Sequence, residues 1–324
     1  GDRARGDDVT PSVTIVIPTH NRADKLTSLL DRILADADDH EVLVVNDGST
    51  DRTRDLLDRR AREDSRLVPL HVPAMGLSSA RITAARAASH DLLVMYDDDI
   101  MPMPRLAHEH ALRHRGRSQQ LVLGYMPTHV PDPLPRGSFA TVLYAQEYER
   151  RCAEYDIDPS LVLTGLWLGN ASITKGPFIE AWDSGRMPTF PYRHEDRIIG
   201  LVLRELGVSG VFDRALFAQH VHSRPLSAFL TDAYRNGQGR EHIRHLFPDV
   251  LTEPSEHAYR HGVPAPLQPL LSATRYEPVR RAVTGALSTG IAAAGALGSR
   301  RAELSLARLA RKVEELHGVR EVGV

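Results

Sequence analysis

The chain has 324 residues, of which 42% are hydrophobic and 25% charged, the ordinary mixture of a globular protein. Its 40 basic and 42 acidic side chains give a formal net charge of −2, which argues against a nucleic-acid binder that relies on bulk positive charge. The single cysteine, Cys152, excludes an intrachain disulfide framework and a cysteine-rich zinc site. Residues 1–12 are polar and do not resemble a signal peptide, so we expect a flexible leader over residues 1–11 and a cytoplasmic location.

The first 100 residues alternate between short β-branched runs and segments with apolar side chains at helical spacing. The predicted strands are residues 13–17, 42–45, 67–72 and 92–96. The helices predicted between them are residues 21–34, 50–62 and 78–89. Such repeats predict a parallel sheet with helices on both faces, in which ligands bind at the carboxyl ends of the strands.

The second half of the chain is less regular and then becomes helical. Four prolines within residues 126–138 predict a loop. Residues 195–206 have the pattern of an amphipathic helix, residues 211–219 that of a strand, and the sequence from Pro225 onwards that of helices. Ala282–Ser299 carries no charge, but small residues dominate it, so we favour a packed helix or helical hairpin over a membrane span.

Three adjacent carboxylates, Asp97–Asp99, follow the fourth predicted strand. Carboxylates this close repel one another unless a cation neutralises them. Oxygen ligands suit Mg²⁺ or Mn²⁺, especially when the phosphates of a substrate complete the coordination shell. A solvated acidic turn is the alternative, but the position at a strand end favours a metal site.

Four motifs, in order along the chain, resemble those of family 2 glycosyltransferases with the GT-A fold. They are the first strand with its turn, the second strand with its turn, the start of the third helix and the acidic triplet. In this sequence they are Val13–Arg22, Val44–Asp51, Gly76–Arg81 and Asp97–Asp99. The resemblance is close over residues 12–100, looser to about residue 240, and does not reach the tail.

The resemblance implies an α/β fold of the GT-A type, with a mainly parallel central sheet flanked by helices and a helical C-terminal extension. The implied domains are a catalytic domain over residues 12–245 and an extension over residues 246–324. Within the catalytic domain, residues 12–125 would bind the donor nucleotide and metal, and residues 126–245 the acceptor.

The function implied by the resemblance is a metal-dependent transfer of a sugar from a nucleotide-diphosphate donor to an acceptor hydroxyl, with inversion. Asp47 would accept a hydrogen bond from the base; a carboxylate suits the imide N–H of uracil, so a UDP-sugar is favoured. Asn46 stands where the family more commonly has aspartate. Arg81 would contact the diphosphate or base region, the alternative being a surface helix charge. The implied donor-binding residues are Pro18, Thr19, Asn21, Asp47, Arg81, Asp97 and Asp98.

The implied chemistry needs a base that takes the proton of the acceptor hydroxyl. His194-Glu195-Asp196 begins a predicted helix and resembles the family's acidic motif, with Asp196 as the base and Glu195 as a supporting or alternative group. The alternative is a pair of ordinary acidic residues at a helix N-terminus.

The resemblance also implies a metal site and an acceptor site. The metal ion, Mn²⁺ or Mg²⁺, would be held by Asp97, Asp99 and His220, with His222 as the competitor of His220. The implied acceptor-binding residues are Trp167, Gly169 and Asn170.

Two features outside these motifs give further expectations. His108-Glu109-His110 with His114 does not match H-E-x-x-H, because Leu112 stands at the second histidine position; we interpret these residues as a polar helix face. The segment beyond His220, including Tyr234–Gly239, is expected to close over the donor.

Two other functions stay open: a sugar-phosphate nucleotidyltransferase and a catalytically degenerate nucleotide-sugar-binding protein. The first would need a Gly-rich basic loop, for which Thr19–Lys25 is a poor substitute. The sequence does not choose the donor sugar or decide between a glycan, a lipid and a small natural product as acceptor. Peripheral membrane contact and oligomerisation through the C-terminal helices also stay open.

Overall fold

The computed structural model describes residues 10–187, 194–221 and 223–322. These residues divide into two compact units. The first unit comprises residues 10–128, 148–187 and 196–221. The second comprises residues 129–147, 194–195 and 223–322. Most of the predicted leader, residues 1–9, and the alternative metal ligand His222 lie outside the described residues.

Strands are confined to the first unit within the described residues, whereas helices occur in both. The strands are β1 (Val13–Thr19), β2 (Glu41–Asp47), β3 (Leu67–Val72), β4 (Leu92–Tyr96), β5 (Ile100–Pro102), β6 (Gln120–Tyr125), β7 (Asn170–Thr174) and β8 (Ser209–His220). The helices up to β8 are α1 (Ala23–Asp36), α2 (Thr53–Glu63), α3 (Leu77–Ala87), α4 (Leu106–Arg113), α5 (Phe139–Ile157), α6 (Leu161–Thr164), α7 (Lys175–Asp183) and α8 (Glu195–Glu205). The helices after β8 are α9 (Leu226–Leu246), α10 (Ser255–Arg260), α11 (Gln268–Ala273), α12 (Glu277–Ala296) and α13 (Arg300–Val322), with a 3₁₀ turn at Ala265–Leu267.

The first unit contains one eight-stranded sheet in the order β3-β2-β1-β4-β7-β6-β8-β5. The neighbours β3, β2, β1 and β4 are parallel, as the strand–helix repeats predict. β7 runs antiparallel between β4 and β6, while β8 is parallel to β6 and antiparallel to β5. The predicted mainly parallel sheet, flanked by helices and followed by a helical C-terminal region, is therefore confirmed.

The core of the first unit is built from the apolar runs that the sequence pattern singles out. The predicted helix over residues 21–34 forms as α1, and the apolar side chains at its i, i+3, i+4, i+7 and i+8 positions are buried. They are Leu26, Leu29, Leu30, Ile33 and Leu34. Every residue of β1 and β4 is buried, which fits parallel strands covered on both faces.

Two antiparallel pairings bring distant segments to the carboxyl end of β4. Tyr96 pairs with Asn170 between β4 and β7, and Ile100 pairs with His220 between β5 and β8. Asp97–Asp99 lie between Tyr96 and Ile100 in the chain. The two pairings therefore fix the start of β7 and the end of β8 beside the acidic triplet.

The second unit contains a helical hairpin, in which α12 and α13 are joined by a short turn. Both helices contribute to its apolar core, for example through Leu287, Ile291, Val313 and Leu316. The uncharged segment Ala282–Ser299 is thus a packed helix and the turn that follows it, as predicted. Among the described helices, none is long and apolar enough to cross a membrane.

Helices α9 and α13 approach closely because each carries a glycine at the crossing. A Cβ atom added at Gly237 would lie 2.0 Å from the carbonyl oxygen of Glu315, and one added at Gly318 would lie 2.0 Å from that of Tyr234. Any side chain at either position would collide with the backbone of the opposite helix.

This packing corrects the expectation of a closing loop beyond His220. Tyr234–Gly239 is not a closing loop, because it lies inside α9 and α9 packs on α13. The compact units also divide the chain differently from the predicted domains: α9 belongs to the second unit, whose C-terminal part begins near residue 223 rather than 246.

Candidate functional site

The first aspartate of the triplet is fixed against the segment that precedes β7. The backbone N–H of Asp97 donates to the carbonyl oxygen of Gly169 at 3.0 Å. A Cβ atom at Gly169 would lie 2.4 Å from Asp97 Oδ2. Residue 169 must therefore be glycine for the Asp97 carboxylate to keep its position. Burial raises the pKa of Asp97, although the guanidinium of Arg81 partly opposes this.

Arg81 lies at the centre of the site rather than on a surface. Its side chain, on α3, is 1% exposed and donates from Nη2 to Asp97 Oδ1 at 2.6 Å and from Nη1 to Asp196 Oδ1 at 2.8 Å. The alternative of a surface helix charge is thus wrong. A buried guanidinium is tolerated because two carboxylates neutralise it and accept its hydrogen bonds.

Asp196, the predicted base, is the second residue of α8. Its Oδ2 accepts a hydrogen bond from the backbone N–H of Leu168 at 3.0 Å, while Oδ1 faces Arg81. Gly200, on the same helix, allows close packing, since a Cβ there would lie 2.1 Å from the carbonyl oxygen of Leu163. Both carboxylate oxygens of Asp196 are thereby oriented. Glu195, the supporting or alternative group, is the first residue of α8.

Asp99 and His220 form a pair at the carboxyl end of the sheet. Asp99 Oδ1 lies 3.3 Å from His220 Nε2, and His220 Nδ1 lies 3.5 Å from Thr128 Oγ1. His220 is 5% exposed. An imidazole nitrogen beside a carboxylate oxygen is a donor set that suits a divalent ion such as Mn²⁺, so these two residues fit a metal site.

The third predicted ligand does not join this pair. Asp97 is paired with Arg81 instead. Within residues 10–187, 194–221 and 223–322, the only three His, Cys, Asp or Glu side chains with ligand atoms mutually within 4.8 Å are Glu253, His257 and His261. The structure therefore brings Asp99 and His220 together, without Asp97.

Asp98, the middle residue of the triplet, is anchored by the first strand. Thr19, the last residue of β1, donates from Oγ1 to Asp98 Oδ2 at 2.7 Å. Burial raises the pKa of Asp98 to about 6, although this hydrogen bond lowers it. The guanidinium of Arg22 lies 3.7 Å from Asp98 and 3.8 Å from Asp99. The sequence motifs predict no role for Arg22, although it is the last residue of the first motif.

Asn21 joins the turn after β1 to the turn after β2. Its backbone is left-handed (φ 53°), and its Oδ1 accepts hydrogen bonds from the N–H groups of Thr50 at 2.8 Å and Asp51 at 3.3 Å. Pro18, which precedes Thr19, is buried within β1 and pairs with Val45. Asn21 thus holds the turn after β2 through its side chain, whereas Pro18 contributes to the site through its place in the sheet.

Asp47 holds the segment that leads into α3. Its two carboxylate oxygens accept the N–H groups of Met75 at 2.7 Å and Gly76 at 2.9 Å. Asn46, the residue before Asp47, takes part in a different chain of hydrogen bonds. Its Nδ2 lies 3.1 Å from His71 Nδ1, and His71 Nε2 lies 2.8 Å from Asp58 Oδ1. An amide nitrogen can donate to this imidazole, whereas a carboxylate could not.

Two of the predicted acceptor-binding residues, Trp167 and Asn170, already make contacts with other side chains of the protein. The ring of Trp167 stacks on Tyr148 with centroids 5.0 Å apart, so a sugar would have to use its other face. Asn170 is 1% exposed, with Oδ1 2.9 Å from His110 Nε2 and Nδ2 donating to the carbonyl oxygen of Leu216 at 2.9 Å. We therefore exclude Asn170 from the proposed acceptor contacts.

His110 of α4 and His114, the C-cap of that helix, are part of this buried network, so the expectation of a polar helix face is wrong for these two residues. His110 and His114 are buried, and both contact Ser172 Oγ at 2.8 Å. Burial lowers the pKa of His110 to about 4. Neutral histidines of this kind fix β7 in register beside the site.

Comparison with known proteins points to one family for the N-terminal segment. The family model described as Glycosyl transferase family 2 matches residues 14–132. Validoxylamine A glucosyltransferase of Streptomyces hygroscopicus subsp. jinggangensis is 36% identical over 121 residues, 35% of this chain and 28% of that protein. Undecaprenyl-phosphate 4-deoxy-4-formamido-L-arabinose transferase of Yersinia pestis is 32% identical over 106 residues, 30% of this chain and 32% of that protein. The matches thus span less than a third of these curated relatives.

A solved structure resembles the chain over almost its whole length. A mannosyltransferase from Pyrobaculum calidifontis, in complex with GDP-Man and Mn²⁺, superposes with a TM-score of 0.55 and 16% identity. The alignment covers 98% of this chain and 91% of that one. At this identity the likeness concerns the fold alone.

Proposed function

We propose that the chain, whose residues 14–132 match the model of Glycosyl transferase family 2 and whose fold is of the GT-A type, transfers a sugar from a nucleotide-diphosphate donor to an acceptor hydroxyl. The transfer is a direct displacement that inverts the anomeric carbon. The family match over residues 14–132 supports the enzyme class, and the arrangement of the site supports the course of the reaction.

The observation that carries the proposal is the bridge from Asp97 through Arg81 to Asp196. It links the proposed donor-binding carboxylate to the proposed base, and Asp99 of the same acidic triplet is paired with His220. In a solvated acidic turn, Asp97 would not need a buried arginine that also pairs with a carboxylate of α8.

In the proposed reaction, Asp196 takes the proton of the acceptor hydroxyl as the acceptor oxygen forms a bond to the anomeric carbon. The bond between that carbon and the diphosphate oxygen breaks, and its electron pair leaves with the nucleoside diphosphate. The hydrogen bonds from Leu168 and Arg81 hold the Asp196 carboxylate in one orientation, which places its oxygens before substrate binds.

Asp99 and His220 are the residues that would hold a divalent ion, Mn²⁺ or Mg²⁺. When bound, such an ion neutralises charge on the departing diphosphate. Arg22, beside Asp98 and Asp99, is a second positive group at the same place.

We favour a UDP-sugar as donor because Asp47 can accept the imide N–H of uracil. Each carboxylate oxygen of Asp47 already accepts one backbone N–H, and each retains a second lone pair for a base. GDP-sugars are the control donors, since a GDP-sugar is bound in the similar mannosyltransferase structure.

The family match does not identify the acceptor. It covers residues 14–132, which are mainly the part of the chain proposed to bind the donor nucleotide. The names of the two relatives point to different acceptors, validoxylamine A and undecaprenyl phosphate. Both therefore belong in an acceptor panel, beside simple glycans.

The test is donor turnover without any acceptor, since glycosyltransferases can hydrolyse their donors slowly. Purified full-length chain is incubated with UDP- and GDP-sugars, with Mn²⁺ or with EDTA, and released nucleotide is quantified. We expect nucleoside diphosphate with Mn²⁺ and none with EDTA. A parallel incubation with UTP or GTP and a sugar 1-phosphate tests the other enzyme class, because a nucleotidyltransferase would release pyrophosphate from these two substrates. A donor that raises the melting temperature but is never turned over, with any acceptor, would indicate a degenerate binding protein.

A further inference from the structure

Two histidines and a glutamate of the second unit converge beside the short helix α10. Glu253 Oε1 lies 2.8 Å from His257 Nδ1 and 3.2 Å from His261 Nε2. The side chains of His257 and His261 are 66% and 67% exposed, and that of Glu253 is 42% exposed. All three ligand atoms lie within 4.8 Å of one another.

The spacing of the three residues explains why they meet. Positions 253, 257 and 261 are four residues apart, which places them on one side of a helix and its flanking turns. Glu253 precedes α10, His257 lies within it, and His261 is its C-cap. The two imidazole rings are nearly perpendicular, at 89°, with centroids 4.9 Å apart.

The separations are close to those of a tetrahedral metal site. With metal–ligand bonds of roughly 2.0–2.1 Å, tetrahedral geometry puts neighbouring ligand atoms about 3.4 Å apart. The two separations from Glu253 Oε1, 2.8 and 3.2 Å, are shorter than this by about 0.6 and 0.2 Å, which small side-chain rotations can supply.

The opposite side of α10 is pinned, so the three ligands are presented on a fixed scaffold. Glu256 Oε1 accepts hydrogen bonds from Arg260 at 2.9 Å and from Arg320 of α13 at 2.7 Å. Ser255, the first residue of α10, is 2% exposed. Ordering these side chains around an ion would therefore cost little rearrangement of the backbone.

We propose that Glu253, His257 and His261 form a surface binding site for a borderline divalent transition-metal ion, Zn²⁺ in particular. Two imidazoles and one carboxylate suit Zn²⁺, whereas Mg²⁺ prefers an all-oxygen shell. Water completes the coordination shell at the exposed side. The ion connects Glu253, which precedes α10, to His261, which follows it. Metal binding therefore stabilises α10, a helix that is too short to be stable alone.

The site is separate from the proposed catalytic centre, and its test does not depend on glycosyl transfer. The competing explanation is that two neutral imidazoles donate hydrogen bonds to one carboxylate oxygen with no ion. The two explanations differ in whether removal of the histidines removes a metal-binding event.

The experiment is isothermal titration of the metal-stripped full-length chain with ZnCl₂ and, separately, MgCl₂. We expect one Zn²⁺ event that His257→Ala/His261→Ala weakens more than ~100-fold, because loss of even the outer partners of metal ligands typically costs roughly 10–100-fold. Asp99→Asn, which alters the proposed catalytic centre, should leave that event intact. Co²⁺ should show tetrahedral visible absorption in the wild type and not in the double variant.

His245→Ala is the matched control. His245 is also exposed and lies 3.4 Å from Glu241 at i,i+4 spacing, and its removal should leave the Zn²⁺ event intact. The proposal is overturned if the double variant binds Zn²⁺ like the wild type, or if every Zn²⁺ event disappears in Asp99→Asn. It is equally overturned if His245→Ala removes the same event, or if the event responds to Mg²⁺ as strongly as to Zn²⁺.

Discussion

Arg81 and Asp196 are 115 positions apart in the chain, yet Arg81 Nη1 donates to Asp196 Oδ1 at 2.8 Å. The same guanidinium donates to Asp97, so one buried arginine fixes a carboxylate at the end of β4 and another at the start of α8. This arrangement gives Arg81 a positioning role in the proposed reaction, in addition to any contact with the donor.

Replacement of Arg81 by methionine should destabilise the first unit and abolish turnover. Two carboxylates would lose their counter-ion, which we expect to cost about 2–4 kcal/mol, because both remain partly exposed to solvent. Urea unfolding measures the change. The control is Arg86→Met on the same helix, whose exposed ion pair with Asp183 should contribute less than ~1 kcal/mol. Equal losses of unfolding free energy in the two variants would show that the buried Asp97–Arg81–Asp196 bridge stabilises the chain no more than an exposed ion pair does.

Replacement of Gly169 by alanine should impair catalysis more than stability. The new Cβ would force the Asp97 carboxylate to move, and a displacement of about 1 Å can cost roughly 100-fold in rate. Gly176→Ala in α7 is the control, because a Cβ there meets no atom within 4 Å. Steady-state kinetics of both variants provide the comparison. Wild-type turnover in Gly169→Ala would mean that the position of Asp97 does not matter.

The glycines at the crossing of α9 and α13 should be sensitive to a single methyl group. Gly237→Ala and Gly318→Ala should each destabilise the second unit by about 1–3 kcal/mol through overpacking. Gly285→Ala in α12 has open space and should be neutral or stabilising by up to ~1 kcal/mol, because alanine favours helix. Thermal unfolding distinguishes them, and the prediction fails if all three variants behave alike.

Glu315 should make the stability of the second unit depend on pH. Burial raises the pKa of Glu315 to about 7, although Arg311 and Lys312 lower it. The folded chain thus holds a proton that the unfolded chain releases above its ordinary pKa of 4.5. Stability from this group is therefore full below pH 4.5 and is lost as pH rises to about 7.

Glu315→Gln removes this contribution, so urea midpoints between pH 4.5 and 7 should fall less steeply in the variant than in the wild type. Exposed Glu180 provides the control, since Glu180→Gln should leave the slope unchanged. A wild-type slope in Glu315→Gln would contradict the assignment.

The sequence predicts the local elements well because their signals are local. The β-branched run of β1 and the apolar spacing of α1 specify burial within a few residues. The sequence does not predict β5 because it has only three residues, and it does not predict β7 because Ile173 is the only large apolar side chain in that strand. Their partners are supplied by segments distant in the chain.

The sequence indicates which residues belong to the site, but it does not indicate which of them contact one another. Motifs indicate Asp97, Asp99 and Asp196, but nothing local shows that Arg81 is buried between two of them. Tertiary packing likewise decides that Asn170 faces His110 across 60 positions rather than an acceptor.

The proposal that Asp196 is the base is tested most directly by comparing turnover and donor binding in Asp196→Asn. The asparagine oxygen can still accept the Arg81 hydrogen bond but cannot take a proton, and the asparagine amide group loses the hydrogen bond from the Leu168 N–H. We expect turnover to fall roughly 100- to 10,000-fold, the usual contribution of a general base, with donor affinity unchanged. Glu195→Gln should retain turnover. Wild-type turnover in Asp196→Asn, or loss of turnover only in Glu195→Gln, would contradict the assignment of Asp196 as the base.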